Sequence, residues 1–205
     1  MTSAKFMLET KELKEPHLTL TSRIVSSSTR MNQMVGALLD FTRSRLGGGI
    51  PIAPASMNMG KAVHDVVNEI SAGHPERSIE INARGSLKGE WDCPRITQVL
   101  TNLIVNALEH GSDRTKVRVD VHGDDAEVVI AVHNHGAAIP EDQMDGLFSA
   151  MKRQGLAGKS DGPSTNLGLG LYIADQIVRA HKGRIDVESS EERGTTFMVH
   201  LPRRA

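Results

Sequence analysis

The chain has 205 residues, a formal net charge of −1 and 39% hydrophobic residues, with one Cys, one Trp, one Tyr and four Phe. That length supports one or two domains around an aliphatic core. The near-zero charge and scarce aromatics exclude a basic or stacking platform for nucleic acid, and the lone Cys93 excludes a disulfide framework. The longest fully apolar run, Val128 to Val132, is too short for a membrane segment, so a cytoplasmic chain is expected.

In chain order, SAKFMLETKEL (3–13) reads as the last turns of a helix and a short connection. Residues 16–45 read as one helix, with Pro16 suited to its first position. Leu20, Ile24, Ser27, Met31, Met34, Leu38 and Phe41 recur at spacings of 4 and 3, an a/d seam that calls for a partner. RLGGGIPIAPAS (45–56) is rich in Gly and Pro and marks a boundary. The expected organisation is therefore a partial helical hairpin over 1–46, a linker over 47–56 and a mixed domain over 57–205.

Met59, Val63, Val66, Val67 and Ile70 have helical spacing, and SIEINA (78–83) alternates like a strand. Asp92 suits an N-cap and Pro94 the first turn of the helix that follows. KVRVDV and EVVIAV alternate about a turn at 123–125, and RIDVES and TTFMVHL about Gly194, giving two hairpins. A Gly-, Ser- and Lys-containing segment (153–166) precedes LGLGLYIADQIVRAHKG, which opens on glycines and continues as a helix. The order predicts an α+β fold, a two-layer α/β sandwich preceded by a long helix.

The helix QVLTNLIVNALEHG (98–111) is strongly apolar yet carries a row formed by Asn102, Asn106 and His110, spaced i, i+4, i+8. Amide oxygens of this kind suit Mg²⁺ held mainly through water and phosphate. The glycine-containing LGLGL (167–171) at a helix start exposes backbone N–H groups that suit an anion, a weak signal by itself. In NHGAAIP (134–140) a strand end meets a Gly turn, which places an amide at the base of a pocket.

These segments resemble, in order, the motifs of sensor histidine kinases. QVLTNLIVNALEH is similar to their N box, NHGAAIP to the G1 box, LFSAMKR to the F box, NLGLGLYIADQIVRAH to the G2 box and GTTF to the last glycine motif. RIVSSSTRMNQMVGALLDFTRSR resembles the second helix of their dimerisation and phosphotransfer domain. The resemblance implies the Bergerat (GHKL) ATPase fold and a protein-histidine kinase that uses ATP and Mg²⁺. It also implies a homodimer through the 16–45 helix and a response-regulator receiver domain as partner.

Matched position by position, the resemblance makes Asn106 the Mg²⁺ ligand and gives Asn102 an orienting role beside it. His110 falls at a phosphate-contacting position. Asn134 takes the adenine-recognising place, followed by Gly136, Ala138 and Ile139. Lys152 and Arg153 match the basic end of the F box. Leu167, Gly168, Leu169, Gly170 and Leu171 form the phosphate-proximal end of the lid. Thr195 or Thr196 is placed near adenine.

Five departures from the pattern stand out. No His is followed by Glu/Asp, Arg/Asn and Pro, so the acceptor motif is not in this sequence and autophosphorylation of this chain alone is not expected. Asn134 replaces an aspartate, which predicts weaker exclusion of guanine. Ala138 and Asn166 stand where glycines are usual, and Glu109 where a basic residue is common. The alternative function is a non-catalytic nucleotide-binding interaction protein. His133 and His135, two apart, have no convincing metal-ligand pattern.

Overall fold

The computed structural model describes residues 17–149 and 168–204. Helix α1 (His17–Arg45) spans 29 residues with nothing but Gly36 to weaken it. Most of its seam stays out of the core: Leu20, Ile24, Met31, Val35, Leu38 and Leu39 are each 47–58% exposed, whereas Phe41 at the end packs against it. The expected helical segment at 3–13 lies outside the described residues.

Strand β1 (Ala55–Asn58) leads into α2 (Met59–Gly73), whose start is fixed by the Asn58 side chain accepting from the Lys61 N–H. Met59, Val63, Val66, Val67 and Ile70 are its buried stripe, as their spacing predicts. Strands β2 (Ile79–Gly85) and β3 (Lys88–Trp91) follow, then α3 (Cys93–His110). Asp92 caps α3 by accepting from Arg95 N–H, and its second oxygen takes the Ala53 N–H at 2.7 Å, so one carboxylate also anchors the incoming loop. Strands β4 (Val117–Gly123) and β5 (Glu127–Asn134) bury alternate residues. The short helix α4 (Glu141–Met144), α5 (Gly170–Ala180), β6 (Arg184–Ser190) and β7 (Gly194–Pro202) complete the chain.

The main sheet runs β2-β4-β5-β7-β6. Its pairs are antiparallel except β2 with β4, which run parallel. Helices α2, α3 and α5 cover one face. The core between them joins Ile96, Leu100, Leu103, Ile104, Ile173 and Ile177 to Val128, Ile130, Val132, Phe197 and Val199, all at most 1% exposed. This is the two-layer α/β sandwich expected from the order of elements.

The pairing of β1 with β3 in a second, two-stranded sheet is a feature the sequence reading lacks. Four-residue strands carry too short an alternation to register as a pattern. They are held from a distance: Trp91, wholly buried, donates its indole N–H to the Pro202 carbonyl at 2.7 Å. Arg203 donates to the carbonyls of Ser86, Lys88 and Asp124.

The last turns of α1 dock on α3 and α5. Asp40 accepts from Arg95, Phe41 meets Tyr172 edge-on at 5.7 Å, and Ser44 bridges the Tyr172 hydroxyl and Gln176.

Candidate nucleotide site

Helix α3 carries the row of Asn102, Asn106 and His110 between two other parts of the site. At its N-terminal side, Asn102 Nδ2 donates to the Gly170 carbonyl at 3.0 Å. A Cβ on Gly170 would sit 3.6 Å from the Asn102 amide, an ordinary contact distance, so the start of α5 lies directly against that side chain. At the C-terminal side, a Cβ on Gly136 would collide with the His110 carbonyl. Asn106 lies between, half-buried, and His110 is exposed. Residues 102 and 110 are separated by about 12 Å of helix rise.

Asn134 ends β5 and is 3% exposed. Glycines wall it in: side chains at Gly111, Gly136 or Gly194 would strike the backbone or the side chain around it, and Gly194 also holds φ +76°. The β5–β7 register sets Asn134 directly across from Thr195, so these two side chains share the helix-facing side of the sheet. Thr196 points the other way and bonds to His133 Nδ1 at 2.9 Å. Register thus separates the two threonines that the sequence leaves equivalent.

Thr195 is 4% exposed, and its hydroxyl lies 2.7 Å from Ser189 Oγ. Ser189 Oγ in turn accepts from the Ile139 N–H at 2.9 Å, which fastens the NHGAAIP turn to β6. Ala138, next to Ile139 in this turn, is half-buried.

Gly168 has φ +66°, a left-handed turn that brings the chain to α5. Leu169 is 2% exposed, and its side chain gives α5 no cap. The first N–H groups of α5 therefore retain donor capacity toward an anion. Leu171 packs partly against the core. Lys152, Arg153, Asn166 and Leu167 lie outside the described residues.

The donor set fits Mg·nucleotide chemistry. An amide oxygen on Asn106 suits a hard cation that keeps most of its waters, the α5 start suits phosphate, and the buried Asn134–Thr195 pair suits the polar edge of a base. Glu109 lies with Val105, Leu108 and Arg77 along a separate groove, off the asparagine row.

Two supporting residues carry no local sequence signal. His181, wholly buried, accepts the Asp92 N–H at Nε2 and donates from Nδ1 to the Ile177 carbonyl, tying the α3 cap to the end of α5. Arg77 donates to the Leu108 carbonyl and caps the other end of α3. Both act across 31 or more residues, which no spacing rule reaches.

The chain matches a family model described as histidine kinase-, DNA gyrase B-, and HSP90-like ATPase over residues 91–205. It is 33% identical to a bacteriophytochrome of Pseudomonas aeruginosa over 185 residues, 90% of this chain and 25% of that protein. It is also 33% identical to the signal transduction histidine-protein kinase AfsQ2 of Streptomyces coelicolor, over 88% of this chain and 32% of that protein. The chain thus spans a quarter to a third of the length of these relatives. The catalytic domain of histidine kinase ThkA superposes with a TM-score of 0.62 at 25% identity, over 74% of this chain and 96% of that one. The Acinetobacter baumannii histidine kinase AdeS shares the fold along 99% of this chain and 96% of its own, with a TM-score of 0.70 at 17% identity.

Proposed function

This chain belongs to the histidine kinase-like branch of that ATPase family, and from this premise we propose that it is the ATP-binding catalytic portion of a two-component sensor histidine kinase. The reaction proposed is transfer of the γ-phosphoryl of ATP to a histidine nitrogen. The bond from Pγ to the β,γ-bridging oxygen breaks, an N–P bond forms, and ADP leaves. A receiver-domain aspartate of a response regulator then takes the phosphoryl group.

The observation that carries the proposal is the way α3 links the two ends of the site. One end abuts the buried Asn134, through Gly111 and Gly136. The other holds Gly170 at the start of α5. The intervening run of about 12 Å suits a ribose and triphosphate laid along the asparagine row. Bound Mg²⁺ would neutralise phosphate charge and hold the terminal phosphates for in-line attack. Asn106 would hold it, Asn102 would keep the start of α5 in place, and the N–H groups of α5 would steady the phosphates. Lys152 and Arg153 are assigned the terminal phosphates by their motif.

The half-exposed seam of α1 supports a homodimer through this helix. Among the described residues no helix is long and apolar enough to cross a membrane. We place the reaction in the cytoplasm because its substrate is ATP. The alternative of a non-catalytic interaction protein has no observation in its favour.

Titration calorimetry with a non-hydrolysable ATP analogue, with and without Mg²⁺, tests the reading on wild type, Asn106→Asp and Asn106→Ala. Mg²⁺-dependent binding that Asn106→Ala loses and Asn106→Asp largely retains is expected. Absence of binding by wild type would overturn it. A separate helical peptide bearing an acceptor histidine should then become phosphorylated in the presence of Mg·ATP.

A further inference from the structure

We infer that the base end of this pocket accepts purines carrying either an amino or a keto group at C6, that is, the adenosine class and the inosine class alike. The inference rests on the nucleotide reading above and concerns the chemistry of two side chains, Asn134 and Thr195, with Ser189 behind them.

A carboxylate at position 134 would offer acceptors only, whereas the Asn134 amide offers an acceptor on one side and donors on the other. Its neighbour Thr195 is equally reversible. The Thr195–Ser189 contact at 2.7 Å can run in either direction, because either hydroxyl can donate. Ser189 Oγ already takes the Ile139 N–H and still has capacity for one more donor. Across an antiparallel pair the Asn134 and Thr195 Cβ atoms lie about 4.5–5.5 Å apart, so both groups reach the same ligand edge, directly or through one water.

With a 6-amino purine, the amino group donates to Asn134 Oδ1. The bare ring N1 accepts from the Thr195 hydroxyl, and Ser189 donates to Thr195. With a 6-keto purine every bond reverses. The keto oxygen accepts from Asn134 Nδ2, N1–H donates to Thr195 Oγ1, and Thr195 turns its proton onto Ser189. The proton of Ser189 then turns to solvent, within reach because this residue is only half-buried.

The two states differ by a half-turn of one amide and the rotation of two hydroxyls. No backbone movement is required. An aspartate could not follow this reversal: its oxygen would face the keto oxygen, two acceptors with no proton between them, in a buried position.

The test is displacement of a trinitrophenyl-ATP probe by ATP and by ITP, each with Mg²⁺, from the full chain. Inosine differs from adenosine only at C6 and N1. Wild type should bind the two within about tenfold. Asn134→Asp should keep ATP and lose ITP by about a hundredfold or more, the size expected when buried polar groups are mismatched. Ser189→Ala removes the acceptor that Thr195 needs only in the keto state. It should weaken ITP about five- to tenfold more than ATP, whereas a purely structural role would weaken both alike.

Wild type that binds ATP and excludes ITP as strongly as Asn134→Asp does would overturn this inference and leave the nucleotide reading intact. Wild type that binds neither would overturn both. Should Asn134→Asp fail to fold, judged by Trp91 emission, the Ser189→Ala ratio decides: equal weakening of both nucleotides would sink the inference.

Discussion

Asp40 on α1 accepts a hydrogen bond from Arg95 on α3 at 2.7 Å, with the two side chains 6% and 21% exposed. Gln98 adds a second donor to the same oxygen at 3.3 Å. This pair, with Phe41–Tyr172 and Ser44–Gln176, sets the angle at which the long helix leaves the catalytic lobe. Breaking one side of a buried pair strands a charge. Because Arg95 retains some solvent, Asp40→Ala should cost about 2 kcal/mol rather than the larger loss of a fully dry pair. A double-mutant cycle with Arg95→Ala, read by urea unfolding at Trp91, should give a coupling of about 1–2 kcal/mol. Strict additivity would show that the docking does not depend on this pair.

Asn102 holds the Gly170 carbonyl, and so the start of α5, against α3. Asn102→Ala should cost about 1 kcal/mol of stability, the net worth of one such bond. Its larger effect should be on nucleotide affinity, since the N–H groups of α5 lose their fixed position. Calorimetry showing unchanged affinity would place Asn102 outside the site.

The glycines offer a matched contrast. Gly136→Ala drives a Cβ into the His110 carbonyl and should cost about 3 kcal/mol and abolish nucleotide binding. Gly73, at the end of α2, has nothing within 4 Å of an added Cβ. Gly73→Ala should be neutral or stabilise by about 0.5 kcal/mol through the unfolded chain. Thermal unfolding of both variants checks the pair, and equal effects would refute the steric argument.

On the open face of the sheet, burial holds the His133 imidazole below its ordinary 6.5, helped by His135 and Arg118 and opposed by Asp120. Its ring centroid lies 4.8 Å from that of His135. The folded chain therefore keeps this ring neutral at a pH where the unfolded chain has already bound a proton. The unfolded state holds more protons, so stability falls as pH drops through about 6.5 toward the folded value. Urea midpoints measured from pH 8 to 5.5 should fall less steeply for His133→Gln than for wild type. Parallel slopes would remove His133 as the cause.

Much of this molecule is written in local pattern. The alternation in β4 and β5, the spacing along α2 and the Asp92–Pro94 start of α3 each express one element's own burial, and each appears where the pattern puts it. What local pattern does not express is pairing across the chain. The parallel register of β2 on β4, the bond from the Asp92 N–H to His181 and the Asp40–Arg95 bond depend on residues 38 to 89 positions away. The site divides along the same line. The Asn102, Asn106 and His110 row follows from helix geometry alone, whereas the choice of Thr195 over Thr196 beside Asn134 needed the β5–β7 register.

The place of β7 in the sheet bears on how the protein is made. It follows every other strand in sequence yet lies inside the sheet, between β5 and β6. During vectorial synthesis β5 waits with one edge unsatisfied, and β6 emerges with no neighbour to join. Neither Asn134 nor Trp91 gains its β7 partner until residues 194–202 have cleared the ribosome. A ribosome stalled before that point would hold a nascent chain with two open strand edges and no finished pocket, a natural client for chaperones.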